Sequence, residues 1–224
     1  MGKVLGDVLG LAAAVAISPL PIIALILILA TPRGRLNGTL FTVGWVLGLS
    51  ALGAVMLAIA SPAGASSHSH PATWVGALKL ALGVFLVLFG ARLWHRRPKD
   101  PAQAQLPKWM AAIDHLTPLK ILGLGLALSA LNAKNAPLTI AAGATIGSAG
   151  LPVGQQVASL AIFVLIATLG LLVPLGVFLL GGERAKTTLA DWKDWAAQHN
   201  IAVMAVLLFV IGLKLLGDGI SILT

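Results

Sequence analysis

The chain contains no cysteine, which excludes disulfides, thiolate metal sites and thiol redox chemistry together. A six-span carrier of thiol electrons is excluded by the same absence. Acidic residues are nearly as scarce, with seven Asp and Glu against fifteen Lys and Arg in 224 residues. Asp7 and Asp218 stand near the ends of apolar stretches, Glu183, Asp191 and Asp194 belong to a basic connecting segment, and no carboxylate falls in the middle of a stretch. A path for dibasic amino acids or divalent metals needs anionic ligands, because desolvating a cation without them is costly. Export of lysine or of a metal ion is therefore disfavoured on electrostatic grounds. Enzymatic signatures are missing too: the chain has no His-Glu-x-x-His, no Walker phosphate loop and no Gly-x-Ser-x-Gly elbow. Ser18 has no His or carboxylate in its apolar surroundings to activate it. The expectation is a protein that is not an enzyme and holds no cofactor and no metal. Uphill movement of a solute would draw on a gradient or a partner ATPase.

What the chain does have is hydrocarbon. Hydrophobic residues make up 58% of it and charged residues 10%, with a mean hydropathy of +0.97. No soluble domain of this length covers so much apolar surface, so the partners are membrane lipids and not nucleic acid, despite a net charge of +8. A window of about 19 residues divides the chain into six apolar spans, near 5–31, 38–60, 73–93, 119–147, 153–180 and 200–222. The first continues well past the apolar core of a signal peptide and is read as a span. Basic residues then set orientation. Arg33 and Arg35, then Arg96, Arg97, Lys99 and Lys108, then Arg184, Lys186 and Lys193 fall in three alternate connections, and the other two connections carry none. By the positive-inside rule the basic connections are cytoplasmic, in the plasma (inner) membrane, and both termini face outward. Within the linker, Trp109-Met110-Ala111-Ala112-Ile113 reads either as a short amphipathic segment on the inner membrane surface or as a solvated connector. The loop Ser66-Ser67-His68-Ser69-His70 is an exposed polar loop, since two histidines without acids or cysteines make a weak metal signal. His95, His115 and His199 fall at inner membrane edges.

Two spans are interrupted near their middles. The first carries Ser18-Pro19-Leu20-Pro21, and the fourth carries Asn132-Ala133-Lys134-Asn135-Ala136-Pro137. Proline removes a backbone donor and clashes with the preceding turn, so each helix must open where lipid offers no replacement partner. Such breaks survive where protein or a polar cavity surrounds them, and paired breaks in two halves of a chain point to a transporter's central site. Candidate substrate-binding residues are therefore Ser18, Pro19, Pro21, Asn132, Lys134, Asn135 and Pro137. The asparagines either bind substrate or patch the kink. Lys134 either binds a headgroup or snorkels to the surface. Two further intramembrane cations, Lys79 and Lys214, join the set. Lys79 lies five positions after Trp74 and is placed to snorkel beside it; Lys214 has Asp218 four residues on, in register for an ion pair. The shared sign of these lysines suits an anionic or amphipathic cargo.

The halves run alike: a broken span, an intact span, and a third ending in related patterns, Leu88-Phe89-Gly90-Ala91-Arg92-Leu93 and Val210-Ile211-Gly212-Leu213-Lys214-Leu215. With three spans per half, the second copy enters the membrane in the opposite direction. The fold class expected is an all-α polytopic membrane protein of six transmembrane helices in a 3+3 inverted repeat, with first and fourth helices broken. Residues 1–95 form the first repeat, 96–118 a basic cytoplasmic linker and 119–224 the second repeat. With its proline-containing first break and Asn132-Ala133-Lys134-Asn135 in the second, the chain resembles the lysine-exporter (LysE) superfamily. Within that superfamily it is similar to the actinobacterial GAP/Sap group, named for addressing glycolipids and sulfolipid to the cell surface. Ala133 stands where the superfamily often has proline, and Pro137 follows. The resemblance implies export of a small molecule or participation in lipid transport. The alternatives are a non-transporting accessory subunit of a lipid-export machine, or an amino-acid or metal-ion exporter. Small residues on several spans are compatible with a homodimer.

Overall fold

The computed structural model describes residues 1–66, 73–96 and 107–224, and the elements within them are helical. In chain order they are α1 (Gly2–Ala16), α2 (Pro19–Leu29), α3 (Gly34–Ser66), α4 (Thr73–His95), a 3-10 helix (Lys108–His115), α5 (Pro118–Ala130), α6 (Asn135–Gly147), α7 (Val153–Leu180) and α8 (Gly182–Leu223). Four of them, α3, α4, α7 and α8, are long and apolar enough to cross a membrane. The pair α1 and α2, bent by 49°, qualifies as a fifth span. These helices make the chain a multi-pass membrane protein. The fourth expected span is two short helices of 13 residues, α5 and α6.

Prolines begin helices here. Pro19 is the first residue of α2, with Pro21 two places on, Pro118 opens α5, and Pro137 stands in the first turn of α6. The first-turn amides have no intrahelical acceptor, so proline loses nothing there and its fixed φ favours the helix. Pro174, by contrast, lies inside α7.

Helix α8 departs most from expectation. Residues 182–199, read as an inner connection, are helical and continuous with the last span. At 1.5 Å per residue its 42 residues reach about 63 Å, twice the hydrocarbon thickness. The basic part extends beyond the apolar part and exposes Trp192 and Trp195. Trp94 and Trp109 are exposed near the same basic end, as expected of an interfacial belt. Trp109–Ile113 lies within the 3-10 helix, where Met110 and Ile113, eclipsed at i and i+3, are buried and the helix packs on α2. The histidine-bearing loop expected at 66–70 falls almost entirely outside the described residues.

Packing crosses between the halves. Helix α3 lies along α5 and α6, α7 lies along α1 and α2, and α4 pairs most extensively with α8. Glycine permits these approaches. A Cβ built at Gly83 would sit 2.9 Å from the Gly212 carbonyl, one at Gly219 2.9 Å from the Gly76 carbonyl, and one at Gly90 3.2 Å from the Ala205 carbonyl. The seven-residue spacing on both helices makes α4 and α8 an antiparallel seam with backbone in contact along its length. On α3, Gly44 faces the Leu122 carbonyl of α5 in the same way.

Candidate functional site

The two breaks meet. Helix α1 ends at Ala16 and α2 starts at Pro19, and the chain between them turns so that the last carbonyls of α1 point into the bundle. Such carbonyls have no intrahelical donor and form the negative end of the helix dipole. Lys134, from the second break, answers them: its ammonium donates to the carbonyl of Ala14 at 2.5 Å and to that of Ile17 at 2.9 Å. It is 1% exposed, so the expected snorkelling does not occur. The lysine caps the open end of another helix, distant in sequence and adjacent in space.

Asn135 completes the joint. Its Nδ2 donates to the Leu128 carbonyl of α5 at 3.1 Å, which satisfies an acceptor freed by the second break. The Ser18 hydroxyl lies 2.7 Å from the Val15 carbonyl and 3.0 Å from Asn135 Oδ1, and its single proton serves one of them at a time. Asn132 holds the loop locally by accepting the Lys134 backbone N–H at 2.9 Å, a side-chain mimic of a turn. Thr139 donates to the Asn135 carbonyl at 2.9 Å. Ser18, Lys134, Asn135 and Thr139 are all buried. A buried polar group is tolerated when its hydrogen bonds are made, and this cluster makes them within itself.

Of the residues singled out in the sequence, Ser18, Lys134 and Asn135 are brought into this cluster, with Asn132 half-buried at its edge. Pro19, Pro21 and Pro137 are buried and start the two following helices. Lys79 and Lys214 are elsewhere, on the α4–α8 seam. Asp218 receives a hydrogen bond from Lys214 at 2.8 Å and pairs with Lys79 at 3.8 Å. Lys79 is buried beside that carboxylate and does not snorkel outward past Trp74. The Lys214–Asp218 pair forms as its spacing implies.

A groove of about 210 Å³ opens beside the breaks. Its walls come from Leu20 of α2, Phe89 and Leu93 of α4, Asn132 and Ala133 of the second break, and Asn200, Ile201 and Met204 of α8. Leu131, one residue before Asn132, is 78% exposed, so the second break reaches the outer face of the bundle. Asn200 was not foreseen, because it stands where an interfacial segment gives way to an apolar one and reads as a boundary. Gly170 of α7 was not foreseen as part of the site either. A Cβ there would overlap the Ala16 carbonyl, so only glycine lets α7 close over the first break. Among the described residues, no three His, Cys, Asp or Glu side chains gather to hold a metal ion.

No curated protein and no solved structure matches the chain. A family profile described as Sap, sulfolipid-1-addressing protein, matches residues 8–221, nearly the whole length. That extent takes in both breaks, the groove and the α4–α8 seam, and so the chain belongs to the Sap, sulfolipid-1-addressing protein, family.

Proposed function

We propose that this membrane protein translocates an anionic or amphipathic lipid, of the class its family's name indicates, by alternating access around the two breaks and without enzymatic chemistry. The observation that carries this reading is the joint between the breaks, where Lys134 and Asn135 of one meet Ala14, Ile17 and Ser18 of the other. Helices α2 and α5, of 11 and 13 residues, run from the basic end to the breaks, a rise of about 16 to 20 Å that supports a position of the joint near the bilayer midplane. A joint of hydrogen bonds between four short helices can be exchanged for another set at lower cost than a continuous helix can be bent.

In this reading the chain has six spans in a 3+3 inverted repeat, with residues 1–95 and 119–224 related across the linker 96–118. The crossed packing supports it, since each half's intact helix lies along the other half's broken one and the third helices pair with each other. The basic connections would face the cytoplasm and both termini the outside. The groove then opens on the cytoplasmic half, while the Gly76–Gly219 end of the glycine seam and the Lys79–Asp218–Lys214 cluster close the outer half.

The second reading is an accessory subunit of a lipid-export machine. It is favoured by the sealing of the joint, since neither Lys134 nor Asn135 lines the groove. Reconstitution separates the two. Purified protein in phosphatidylcholine and phosphatidylglycerol liposomes should move a fluorescent anionic lipid or glycolipid between leaflets, and Lys134→Ala and Asn135→Ala should abolish movement while remaining folded. No movement by the unaltered protein favours the accessory role. Movement of lysine with none of anionic lipid overturns the choice of cargo.

A further inference from the structure

Helices α4 and α8 are both apolar and long enough to cross the membrane, yet their seam holds three charges, Lys79, Lys214 and Asp218. All three lie toward the end away from the basic connections, Lys79 in the second turn of α4 and Lys214 and Asp218 in the last three turns of α8. Ionisable side chains within a span are expensive and ask for a reason. Ion pairing supplies only part of one. Lys214 donates to Asp218 Oδ2 at 2.8 Å, and Lys79 stands 3.8 Å from the same oxygen, beyond hydrogen-bond length. Two ammoniums that share one oxygen lie within about 7 Å of each other and repel, and a single carboxylate neutralises one of them. Asp7 of α1 acts on Lys79 from farther off, but Lys3 precedes it by one turn of the same helix and offsets it. One positive charge in the cluster therefore stays uncompensated.

The cluster is reachable. The Lys79 side chain is 7% exposed and forms its floor, whereas the side chains of Lys214 and Asp218 are 34% and 29% exposed. Apolar surface adjoins it: Leu213, next to Lys214, is exposed, as are Val210 one turn before Lys214 and Val84 and Leu88 farther along α4. On a membrane-spanning helix such exposed apolar side chains face lipid tails. Each ammonium carries three N–H donors and no acceptor, so the missing partner is an anion with several oxygens. A group that carries such oxygens beside hydrocarbon is the phosphate or sulfate of a lipid headgroup.

We propose that Lys79 and Lys214 bind the phosphate or sulfate of an anionic lipid in the leaflet away from the basic connections, with the lipid's tails against the exposed apolar faces of α4 and α8. Asp218 holds the two ammoniums together while the site is empty and competes with the headgroup for them. The site is separate from the joint at the breaks and goes beyond the translocation reading. It requires that lipid be bound and not that lipid be moved, so the outcome of a flux assay does not decide it.

The test exploits the absence of cysteine. A Cβ at Gly217 of α8, beside Asp218, meets nothing within 4 Å, and neither does one at Gly154, in the first turn of α7 at the same end of the molecule. Gly217→Cys and Gly154→Cys, each carrying a bimane fluorophore, are reconstituted as the full chain in phosphatidylcholine vesicles. Nitroxide-labelled phosphatidylglycerol should quench the Gly217→Cys reporter at about a five-fold lower mole fraction than nitroxide-labelled phosphatidylcholine, the ratio expected of one ion pair. The Gly154→Cys reporter should show no such preference. Lys214→Gln should remove the preference at Gly217→Cys, and Asp218→Asn should increase it by freeing both ammoniums. Inorganic phosphate at constant ionic strength should leave it unchanged. Equal quenching by the two lipids, the same preference at Gly154→Cys, or a preference that survives Lys214→Gln overturns the site. A preference lost in folded Asp218→Asn protein shows that the cluster only staples the helices, and one abolished by inorganic phosphate shows that a free anion, not a lipid, is the occupant; either overturns the proposal.

Discussion

The two breaks begin alike, each followed by a helix with proline in its first turn, but they contribute opposite chemistry. The first, at residues 16–19, offers acceptors: the carbonyls of Ala14, Val15 and Ile17 point inward and Ser18 is sealed among them. The second, at residues 131–134, supplies the ammonium of Lys134 as donor, while the adjoining Asn135 accepts from Ser18 and donates to Leu128 of its own half, and it keeps one side open, with Leu131 exposed and Asn132 at the groove. The breaks are thus complementary and not interchangeable. An open helix end is a ready site for a polar ligand, and at the first break that place is taken by the chain's own lysine.

This contrast can be broken by removing its members in turn. Lys134→Met should have the largest effect, because it leaves two buried carbonyls without a donor. A loss of about 3 kcal/mol in unfolding free energy is expected, measured by denaturing-detergent titration in mixed micelles. Asn135→Ala should follow at about 2 kcal/mol, since the Leu128 carbonyl loses its donor and Ser18 loses one of two acceptors. Ser18→Ala should cost least, about 1 kcal/mol, because the carbonyl it leaves sits in a turn already served by other bonds. The double variant Ser18→Ala with Asn135→Ala should cost less than the sum of the two, which measures the tie between the breaks directly. If Ser18→Ala proves more damaging than Lys134→Met, the acceptor side is the organising one and the contrast fails.

Much of the fold was legible because membrane constraints act locally. An apolar stretch long enough to cross must be helical, since lipid leaves no other way to satisfy its backbone, and the spans starting at 73 and 153 coincide with α4 and α7 within a few residues. Both interruptions were legible through proline and asparagine in the middle of apolar runs. The helical continuation of α8 through 182–199 was not, because charge marks an aqueous segment without distinguishing a loop from a helix that projects past the membrane. The antiparallel seam was present as Gly76, Gly83 and Gly90 against Ala205, Gly212 and Gly219. Glycine is so abundant in this chain that its seven-residue spacing stood out only once the two helices lay together.

Composition, acting through the need of every backbone group in oil for an internal partner, determined by itself that this chain crosses a membrane repeatedly, and proline and asparagine marked the two interruptions in its apolar runs. Only the tertiary structure decided what Lys134 does, because its acceptors are the carbonyls of Ala14 and Ile17, groups that every residue possesses and that no side-chain pattern can mark. It likewise decided that four separate segments pack to leave a groove beside the breaks.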